Sequence, residues 1–473
     1  MTNFSPFLGL PADIIIVILH CLLVPELSAL SQTCWLFHEF VNEFGWRAYR
    51  HRNPRPSMSL SKSRLSWTAM TSAKYDFLSD KAWSGIDSEF IARPLSAPWS
   101  GKEISLLAMN SSRLIVAAGD TIYSYVFGIS TGNGSPPIIL EGSCSLTAHH
   151  DTKSCITALN FLPDGGLDRT FCVGFQDGTH QRIQLSGPSK DQSLRIHRSA
   201  AQSLQLPYRD FLQNLSSSGN ALLSLSASGR AALMNIDTFS VLSTIELQRR
   251  SWVSHLCIDS SSPFAAFGMS SAMAPLTIHL VTPDQFFAHP SVLLSLSESA
   301  PLGSAVYDIC RGPPTSAWGS SPQVVVSGWY NGIVAIHDLR SSSRVPTSTS
   351  APAPLRPVLT LRNYLSDEPV YSVSCGGGGG AHVAAGAARH SLVSLWDIRS
   401  PRNGFSIHAP INDPSPVYAL ILESSRLWGV TQSRPFVFDF GPGVTATTYP
   451  RVGNRADVLV GYYVTKYSHH WSR

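Results

Sequence analysis

The sequence predicts an all-β protein, a seven-bladed propeller, preceded by a small all-α domain. From about residue 88 onward, short β-like runs separated by turn residues recur at a spacing of roughly 40 residues, which is typical of propeller blades. Residues 8–47 instead carry apolar residues at helical spacing. The expected division is a helical domain at 1–50, a partly helical linker at 51–87, the propeller at 88–445 and a C-terminal tail at 446–473.

The composition agrees with this division and restricts the function. Of the 473 residues, 43% are apolar and only 14% are charged, below the roughly 25% charged residues of an average globular chain. The 34 glycines and 32 prolines favour turns over long helices. A formal net charge of +4 is small for this length and gives no electrostatic reason to expect nucleic-acid binding.

Three amphipathic helices are predicted in the N-terminal segment. Its apolar residues fall on three stripes: Ile14, Ile15, Ile18, Leu19 and Leu22; then Leu27, Leu30 and Cys34; then Phe37, Phe40, Val41 and Phe44. A segment of about 40 residues is too small to bury this much apolar surface by itself. The remaining apolar surface is therefore expected to bind a partner protein.

The apolar run Ile14–Val24 is too short to span a membrane. It has eleven residues, contains His20 and is followed by Pro25, whereas a spanning helix needs about 20 apolar residues. It also lacks the basic and small flanking residues of a signal peptide. The eight cysteines are scattered, without C-x-x-C spacing, which fits a reducing compartment. We therefore expect a soluble protein of the cytoplasm, the nucleus or both.

The order of motifs in the N-terminal segment resembles the F-box. Leu10-Pro11, the Ile14–Leu22 helix, Pro25-Glu26-Leu27 and Trp46-Arg47 carry the resemblance, and His20–Val24 departs from it where many family members have a polar turn residue. F-boxes attach substrate receptors to the Skp adaptor of cullin-based ubiquitin ligases. The resemblance implies that the Skp adaptor binds Leu10, Pro11, Ile14, Ile18, Leu19, Leu22, Leu27, Leu30, Cys34 and Trp46. The alternative is a small helical cap that belongs to the following domain.

Residues 51–87 are expected to pack on the next domain. The apolar anchors of this linker are Trp67, Met70, Tyr75 and Trp83. Farther along the chain, the Ser/Pro/Thr-rich segment Ser341–Pro357 is expected to be a disordered insertion, and the five glycines Gly376–Gly380 a flexible loop. In the tail, Val458–Val464 has the pattern of a strand without an obvious partner.

Seven repeat units follow the linker when first strands are counted from Ile104. Each unit has a strand ending in small residues, a tight polar turn and a strand ending near Asp. The paired strands are Leu114–Phe127, Phe171–Leu185, Leu222–Asp237, Phe264–Leu280, Val324–Arg340, His382–Arg399 and Leu427–Phe440. Radial closure of such units leaves only short edges, and Glu89–Leu95 is expected to supply the outer strand of the last unit. A β-sandwich would not give seven similar units.

Two of the units resemble WD repeats. Trp396-Asp397 and His337-Asp338 stand where WD-repeat proteins end their third strand, and Ser327–Gly332 with His337–Arg340 is similar to a subgroup of F-box/WD-repeat proteins. This resemblance implies a seven-bladed WD-repeat propeller. It also implies a substrate-recognition adaptor of an SCF-type E3 ubiquitin ligase: the F-box docks the Skp adaptor, and through it cullin, while the propeller binds a protein substrate for ubiquitination and proteasomal degradation.

Two other functions remain open. Leu395–Arg399 resembles the WD-x-R box of receptors for the propeller-type cullin adaptor. The other open function is that of a protein-interaction scaffold outside the ubiquitin system.

No catalytic, cofactor or metal-binding residue is expected. The sequence has no Walker loop, G-x-S-x-G elbow, H-E-x-x-H or paired C-x-x-C. His149-His150-Asp151 stands before a first strand, where WD repeats often carry a structural histidine. Asp177, Asp338 and Asp397 stand at turns or strand ends, where Asp usually accepts bonds from local N–H groups.

The family resemblance places partners on the face that holds the starts of the first strands and the turns after the second strands. Its predicted substrate-binding residues are Tyr307, Trp329, Tyr330, Tyr371, Arg389 and Tyr418. Aromatic residues are common interface anchors. Because a phosphopeptide receptor needs several converging arginines, we expect an apolar or hydrogen-bonded peptide. The alternative is that the tyrosines only close the channel by packing.

Overall fold

The computed structural model describes residues 10–84, 90–101, 103–130, 132, 134–146, 155–186, 194–203, 210–271, 274–296, 304–315, 318–345, 353–411, 413–453 and 460–470. His149-His150-Asp151 and residues 346–352 of the Ser/Pro/Thr-rich segment lie outside these ranges. Helices occupy the first part of the chain, and antiparallel strands occupy most of the rest. None of the described helices is long and apolar enough to cross a membrane.

Four short helices and a π-helical turn, Val41–Gly45, replace the three predicted N-terminal helices, and two more helices occupy the linker. They are α1 (Ala12–Cys21), α2 (Val24–Leu30), α3 (Trp35–Phe40), α4 (Trp46–Arg52), α5 (Ser61–Ser66) and α6 (Ala69–Ser84). Pro25 stands in the first turn of α2, where its missing N–H costs no bond. Glu26 accepts the Leu23 N–H at 2.7 Å and closes the same turn.

The helices share one apolar core. It contains Ile15, Leu19, Val24, Leu27, Phe37, Val41, Trp46, Tyr49 and, from α6, Ala73. Gly45 allows the π-helical turn to approach α2 closely, because a Cβ there would lie 2.9 Å from Cδ2 of Leu27. The linker helix thus completes the core of the N-terminal helices.

The strands form antiparallel sheets in which four-strand sets recur. β1 (Ile91–Pro94) comes before the first sets in the chain. The first sets contain β2 (Ser105–Met109), β3 (Arg113–Ala118), β4 (Thr121–Phe127), β5 (Ile138–Ser145), β6 (Ile156–Phe161), β7 (Thr170–Phe175), β8 (Thr179–Leu185) and β9 (Ile196–Ser203). The central sets contain β10 (Leu212–Ser218), β11 (Ala221–Ser226), β12 (Arg230–Asn235), β13 (Val241–Glu246), β14 (Ser251–Cys257), β15 (Phe264–Ser271), β16 (Leu276–Leu280), β17 (Val292–Leu294), β18 (Ser304–Arg311), β19 (Val324–Trp329), β20 (Ile333–Asp338) and β21 (Leu359–Arg362). The last sets contain β22 (Val370–Gly376), β23 (His382–Ala387), β24 (Leu392–Asp397), β25 (Asn403–His408), β26 (Val417–Leu422), β27 (Arg426–Thr431), β28 (Pro435–Asp439) and β29 (Lys466–His470).

Strand pairing follows chain order within each set. β2–β5, β6–β9 and β10–β13 are four-stranded sheets, and β22–β25 gain β29 as a fifth strand. β14–β17 and β18–β21 are joined into one sheet where Ser270 and Ser271 pair with Ala305 and Ser304. The last set, β26–β28, takes β1 as its outer strand.

All seven predicted strand pairs are confirmed as the second and third strands of these sets. The expected outer strand is confirmed over Ile91–Pro94, which pairs with β28 from Ile91↔Asp439 to Pro94↔Phe436. β9 and β10 were not predicted, because their sequences are polar and rich in Ser and Gln. In the tail, the strand is Lys466–His470 on β25 rather than the expected Val458–Val464; within the described part of that stretch, Tyr462 makes one bridge to Ala92.

The first strands of successive sets contact one another in a closed series. β2 contacts β6, and the contacts continue through β10, β14, β18 and β22 to β26, which contacts β2. Side chains bond the backbone of the next strand: Asn214 accepts from the Ser254 N–H at 3.1 Å, and Ser374 accepts from the Leu422 N–H at 2.9 Å. These bonds satisfy inner-strand N–H groups that no sheet partner reaches.

The turn between β26 and β27 anchors the helical segment on the sheets. The buried carboxylate of Glu423 accepts hydrogen bonds from the Ser59 N–H at 2.9 Å and from Trp428 Nε1 at 3.1 Å, and also from Met58 N and the Ser59 hydroxyl. Trp83 Nε1 donates to the Ser424 carbonyl at 2.9 Å. The linker is therefore helical and firmly packed; of its four expected anchors, Met70 alone is exposed.

The five glycines form a packed platform rather than the expected flexible loop. The N–H groups of Gly377 and Gly378 donate to the carbonyls of Glu423 and Ser424 at 2.9 and 2.6 Å. A Cβ on Gly378, whose φ is +48°, would lie 3.1 Å from Cδ1 of Trp83. Glycine is needed here because the indole ring lies directly on the backbone.

We expect Gly378→Ala to destabilise the protein by about 2–4 kcal/mol, since a left-handed alanine costs about 1–2 kcal/mol and the contact with Trp83 adds a similar amount. Gly165→Ala is the matched control, because Gly165 also has a positive φ, +72°, but nothing lies within 4 Å of its Cβ position. Denaturant unfolding of both variants measures the difference. Equal losses of unfolding free energy in the two variants would show that the contact with Trp83 does not contribute.

Buried histidines should make stability depend on pH. Burial lowers the pKa of His337 to about 4, and the ring bonds the Ser295 carbonyl at 3.1 Å. Because the folded pKa lies below the unfolded value of about 6.5, this group's contribution is present above pH 6.5 and lost as pH falls toward 4. His337→Gln should therefore show a smaller loss of unfolding free energy than wild type between pH 7 and 4.5. The same slope in both proteins would contradict the assignment.

Candidate functional site

The predicted Skp-binding residues divide into three groups by exposure. Pro11, Ile14 and Cys34 are exposed, and Leu10, Ile18, Leu22 and Leu30 are half-buried. Leu19, Leu27 and Trp46 are buried in the helical core. These three hold the helices together and are not exposed in this conformation, and their role in Skp binding stays a prediction. They are buried because one face of each short helix must cover the other helices.

Three exposed apolar residues of the helical segment were not predicted as partner-binding residues. Val17 is 60% exposed, Leu23 55% and Trp35 72%. Every position from Ile14 to Leu19 is apolar, so the sequence pattern did not show which side of α1 faces solvent. Val17 lies one turn after Ile14, and both point away from Ile15 and Leu19. Ile14 and Val17 therefore form one exposed apolar surface rather than two scattered side chains.

The second candidate site is a cavity of about 690 Å³ between the first strands of the sheets. Its wall includes Thr157, Gln213, Trp252, Tyr307, Tyr371 and Tyr418. Each of these residues is the extra residue of a β-bulge, because the register of its strand shifts across it. A bulge turns one side chain away from the regular alternation. The bulges therefore place these side chains on the cavity wall.

Four of these bulge residues form an aromatic collar. The rings of Trp252 and Tyr307 are 5.0 Å apart, those of Tyr307 and Tyr371 5.1 Å, and those of Tyr371 and Tyr418 6.1 Å. Trp252 is not among the substrate-binding residues predicted from the sequence. The β-bulge shows that Trp252 is equivalent in position to the tyrosines.

The structure separates the other predicted face residues. Tyr330 is 53% exposed, with its ring 6.3 Å from Tyr307, and Arg389 is exposed in the turn between β23 and β24. Trp329 is only 1% exposed, and its Nε1 donates to the Ser327 hydroxyl at 2.9 Å. In this conformation its ring is buried in the core between the β14–β17 and β18–β21 sets, so its role as a substrate-binding residue stays a prediction.

Asp308 lies on the cavity wall next to the collar. Its carboxylate accepts the Val373 N–H at 2.7 Å and the Ile309 N–H at 2.9 Å. Burial raises the pKa of Asp308 to about 7, and the two backbone bonds oppose that rise. Cys310 also lines the cavity, and its Sγ lies 3.7 Å from Sγ of Cys375.

The aspartates at turns have the local role that was predicted. Asp177 accepts the Thr179 N–H at 2.8 Å, Asp338 the Arg340 N–H at 3.0 Å and Asp397 the Arg399 N–H at 2.9 Å. In the WD-x-R segment, the Arg399 guanidinium is also paired with Asp397 at 2.7 Å, although its side chain is 66% exposed. Among the described residues there is no group of three or more His, Cys, Asp or Glu placed to hold a metal ion.

Comparison with known proteins gives structural likenesses but no sequence match. No family model matches the chain, and no curated protein matches it. The crystal structure of Chaetomium thermophilum Sqt1 bound to the N-terminus of the ribosomal protein L10 is similar with a TM-score of 0.47 and 12% identity, covering 70% of this chain and 81% of that chain. At this score the likeness decides neither fold nor function, and the chain is characterised by its own geometry.

Substitutions of Trp329 and Tyr330 test which of these two neighbouring aromatic residues is buried and which faces solvent. Trp329→Ala should lower the free energy of unfolding by about 3–5 kcal/mol, the usual loss for a buried tryptophan. Tyr330→Ala should change it by about 0.5 kcal/mol or less, because most of its ring faces solvent. Denaturant unfolding of the two variants gives both values. A larger loss at Tyr330 than at Trp329 would reverse the assignment.

Proposed function

We propose that this chain is a non-catalytic substrate-recognition adaptor of an SCF-type E3 ubiquitin ligase. Helices α1–α4 are an F-box that docks the Skp adaptor, and the sheets are a seven-bladed WD-repeat propeller that binds a protein substrate for ubiquitination and proteasomal degradation. The observation that carries this proposal is the outward apolar surface of α1, where Ile14 and Val17 are 43% and 60% exposed although Ile15 and Leu19 already fill the core.

The closed contact series of the first strands supports a propeller of seven blades. β26 returns to β2, and the outer strand of the last set is β1, from the start of the sheet region. Pairing of strands from the two ends of the sheet region closes a propeller and protects its last edge. The WD-like segments Ser327–Arg340 and Leu395–Arg399 lie in two of the seven sets.

The packing of the linker suits an adaptor. A ligase receptor performs no bond-making itself; it accelerates transfer by holding the substrate near the transferring enzyme. Such a role requires a fixed orientation between the two docking surfaces. The bonds of Glu423 and Ser424 with Ser59 and Trp83 provide it, because they join the helices directly to β26 and β27.

Capture of the Skp adaptor by the full chain tests the proposal. Wild type should bind, and Ile14→Asp should weaken capture at least about tenfold, since a charge in an apolar interface costs more than about 1.4 kcal/mol. Leu65→Asp is the matched control, because Leu65 is 89% exposed on α5, away from the F-box-like motif. Circular dichroism confirms that both variants are folded.

Two outcomes would contradict the assignment to an SCF-type ligase. If folded wild type captures no Skp adaptor, the chain is a scaffold of another kind. If capture of the propeller-type cullin adaptor is found instead and is lost in Arg399→Ala, the WD-x-R segment is the docking site. Retained Skp binding in Ile14→Asp would show that α1 is not the contact surface.

A further inference from the structure

The carboxyl group of Asp308 is an unusual member of the cavity wall. Side chains at similar places on other first strands also accept an N–H from the next strand, but Asn214 and Ser374 do so without an ionisable group. A neutral acceptor is therefore sufficient to join neighbouring strands. The charge that Asp308 can carry is not required by the fold.

The cavity supplies no cation to pair with this carboxylate. None of the described residues that line it is a lysine or an arginine, and burial lowers the pKa of the lining His255 to about 4. Arg250 lies outside this lining, where its guanidinium covers the ring of Trp252 at 4.2 Å. Buried carboxylates are normally paired or neutralised. A cation from outside the chain would therefore complete the site.

The aromatic collar favours the same kind of ligand. The faces of Tyr307, Tyr371 and Tyr418 carry negative electrostatic potential and attract cations within about 6 Å. The collar and Asp308 lie on the wall of one cavity of about 690 Å³. Its volume is large enough to admit a long side chain of a partner protein.

We propose that this cavity binds a lysine side chain of the protein partner, with its ammonium group between the tyrosine rings and the carboxylate of Asp308. This inference rests on the proposed role of the sheets as a docking surface for a protein. The aliphatic stem of the lysine packs against the rings, and the ammonium group donates hydrogen bonds to the carboxylate.

Saturation-transfer NMR on the full chain tests this with four small probes: capped lysine, capped norleucine, capped arginine and capped glutamate. In wild type the lysine signal should exceed that of its uncharged analogue norleucine by about fivefold, as a partly desolvated cation–π contact and ion pair would give. The arginine and glutamate signals should be weaker than that of lysine. The proposal would be overturned by a norleucine, arginine or glutamate signal that equals or exceeds the lysine signal.

Variants locate the binding. Asp308→Asn keeps an acceptor for the Val373 N–H and should reduce the lysine-to-norleucine ratio to about one. Asp237→Asn is the control, because it removes an exposed carboxylate in the turn after β12 and should leave the ratio unchanged. If Asp308→Asn does not fold, Tyr371→Leu and Tyr418→Leu provide the second test through loss of ring faces. A ratio unchanged in all folded collar and Asp308 variants would place lysine binding elsewhere and overturn the assignment.

Skp capture by the same proteins separates the two proposals. Asp308→Asn should bind the Skp adaptor as wild type does, because Asp308 lies in the sheets and not in the helices. Lysine binding without Skp capture would refute the SCF role and support the cavity assignment. Skp capture without a preference for lysine would support the SCF role and refute the cavity assignment.

Discussion

The buried carboxylate of Glu423 holds the two parts of the molecule together. It stands in the turn between β26 and β27, and its bonds run to Ser57–Ser59 of the linker and to Trp428 within the sheet. A buried carboxylate is stable only when its oxygens are satisfied by donors. The same turn also receives Trp83 through Ser424 and Tyr75 through Ser425. This turn therefore fixes the helices relative to the cavity, together with the bonds of Ser61 to the β2–β3 turn and of Ser63 and Trp67 to the β4–β5 loop.

The β-bulges of the first strands are the second organising feature. Each bulge leaves one residue outside the ladder and places it on the cavity wall, so a fixed structural position presents Thr157, Gln213, Trp252, Tyr307, Tyr371 or Tyr418. The sheets determine where each of these side chains lies, and the residue type determines what it can bind. Two of these six residues are polar and four are aromatic, and Asp308 follows one of the aromatic residues, Tyr307, on the same wall. The proposed preference for a basic side chain follows from this asymmetry.

Much of the fold was predictable from local patterns. The second and third strands of all seven units were found because both are apolar, short and separated by turn residues. β9 and β10 were missed because their residues are polar and their stability comes from pairing with neighbours. Gly376–Gly380 was misread because composition alone cannot show that Trp83 lies on the glycine backbone. Trp329 and Tyr330 are adjacent aromatic residues with opposite environments, which composition cannot separate.

The sequence by itself determined the types of element and their order: helical spacing before residue 85, and period-two strands in repeated sets after residue 90. It also determined the motif that resembles an F-box. Only the tertiary structure decided that Ile15 and Leu19 face the core while Ile14 and Val17 face solvent, and that Trp252 joins the tyrosine collar. The reason is physical: local periodicity depends on residues a few positions apart, whereas burial depends on which distant segments pack together.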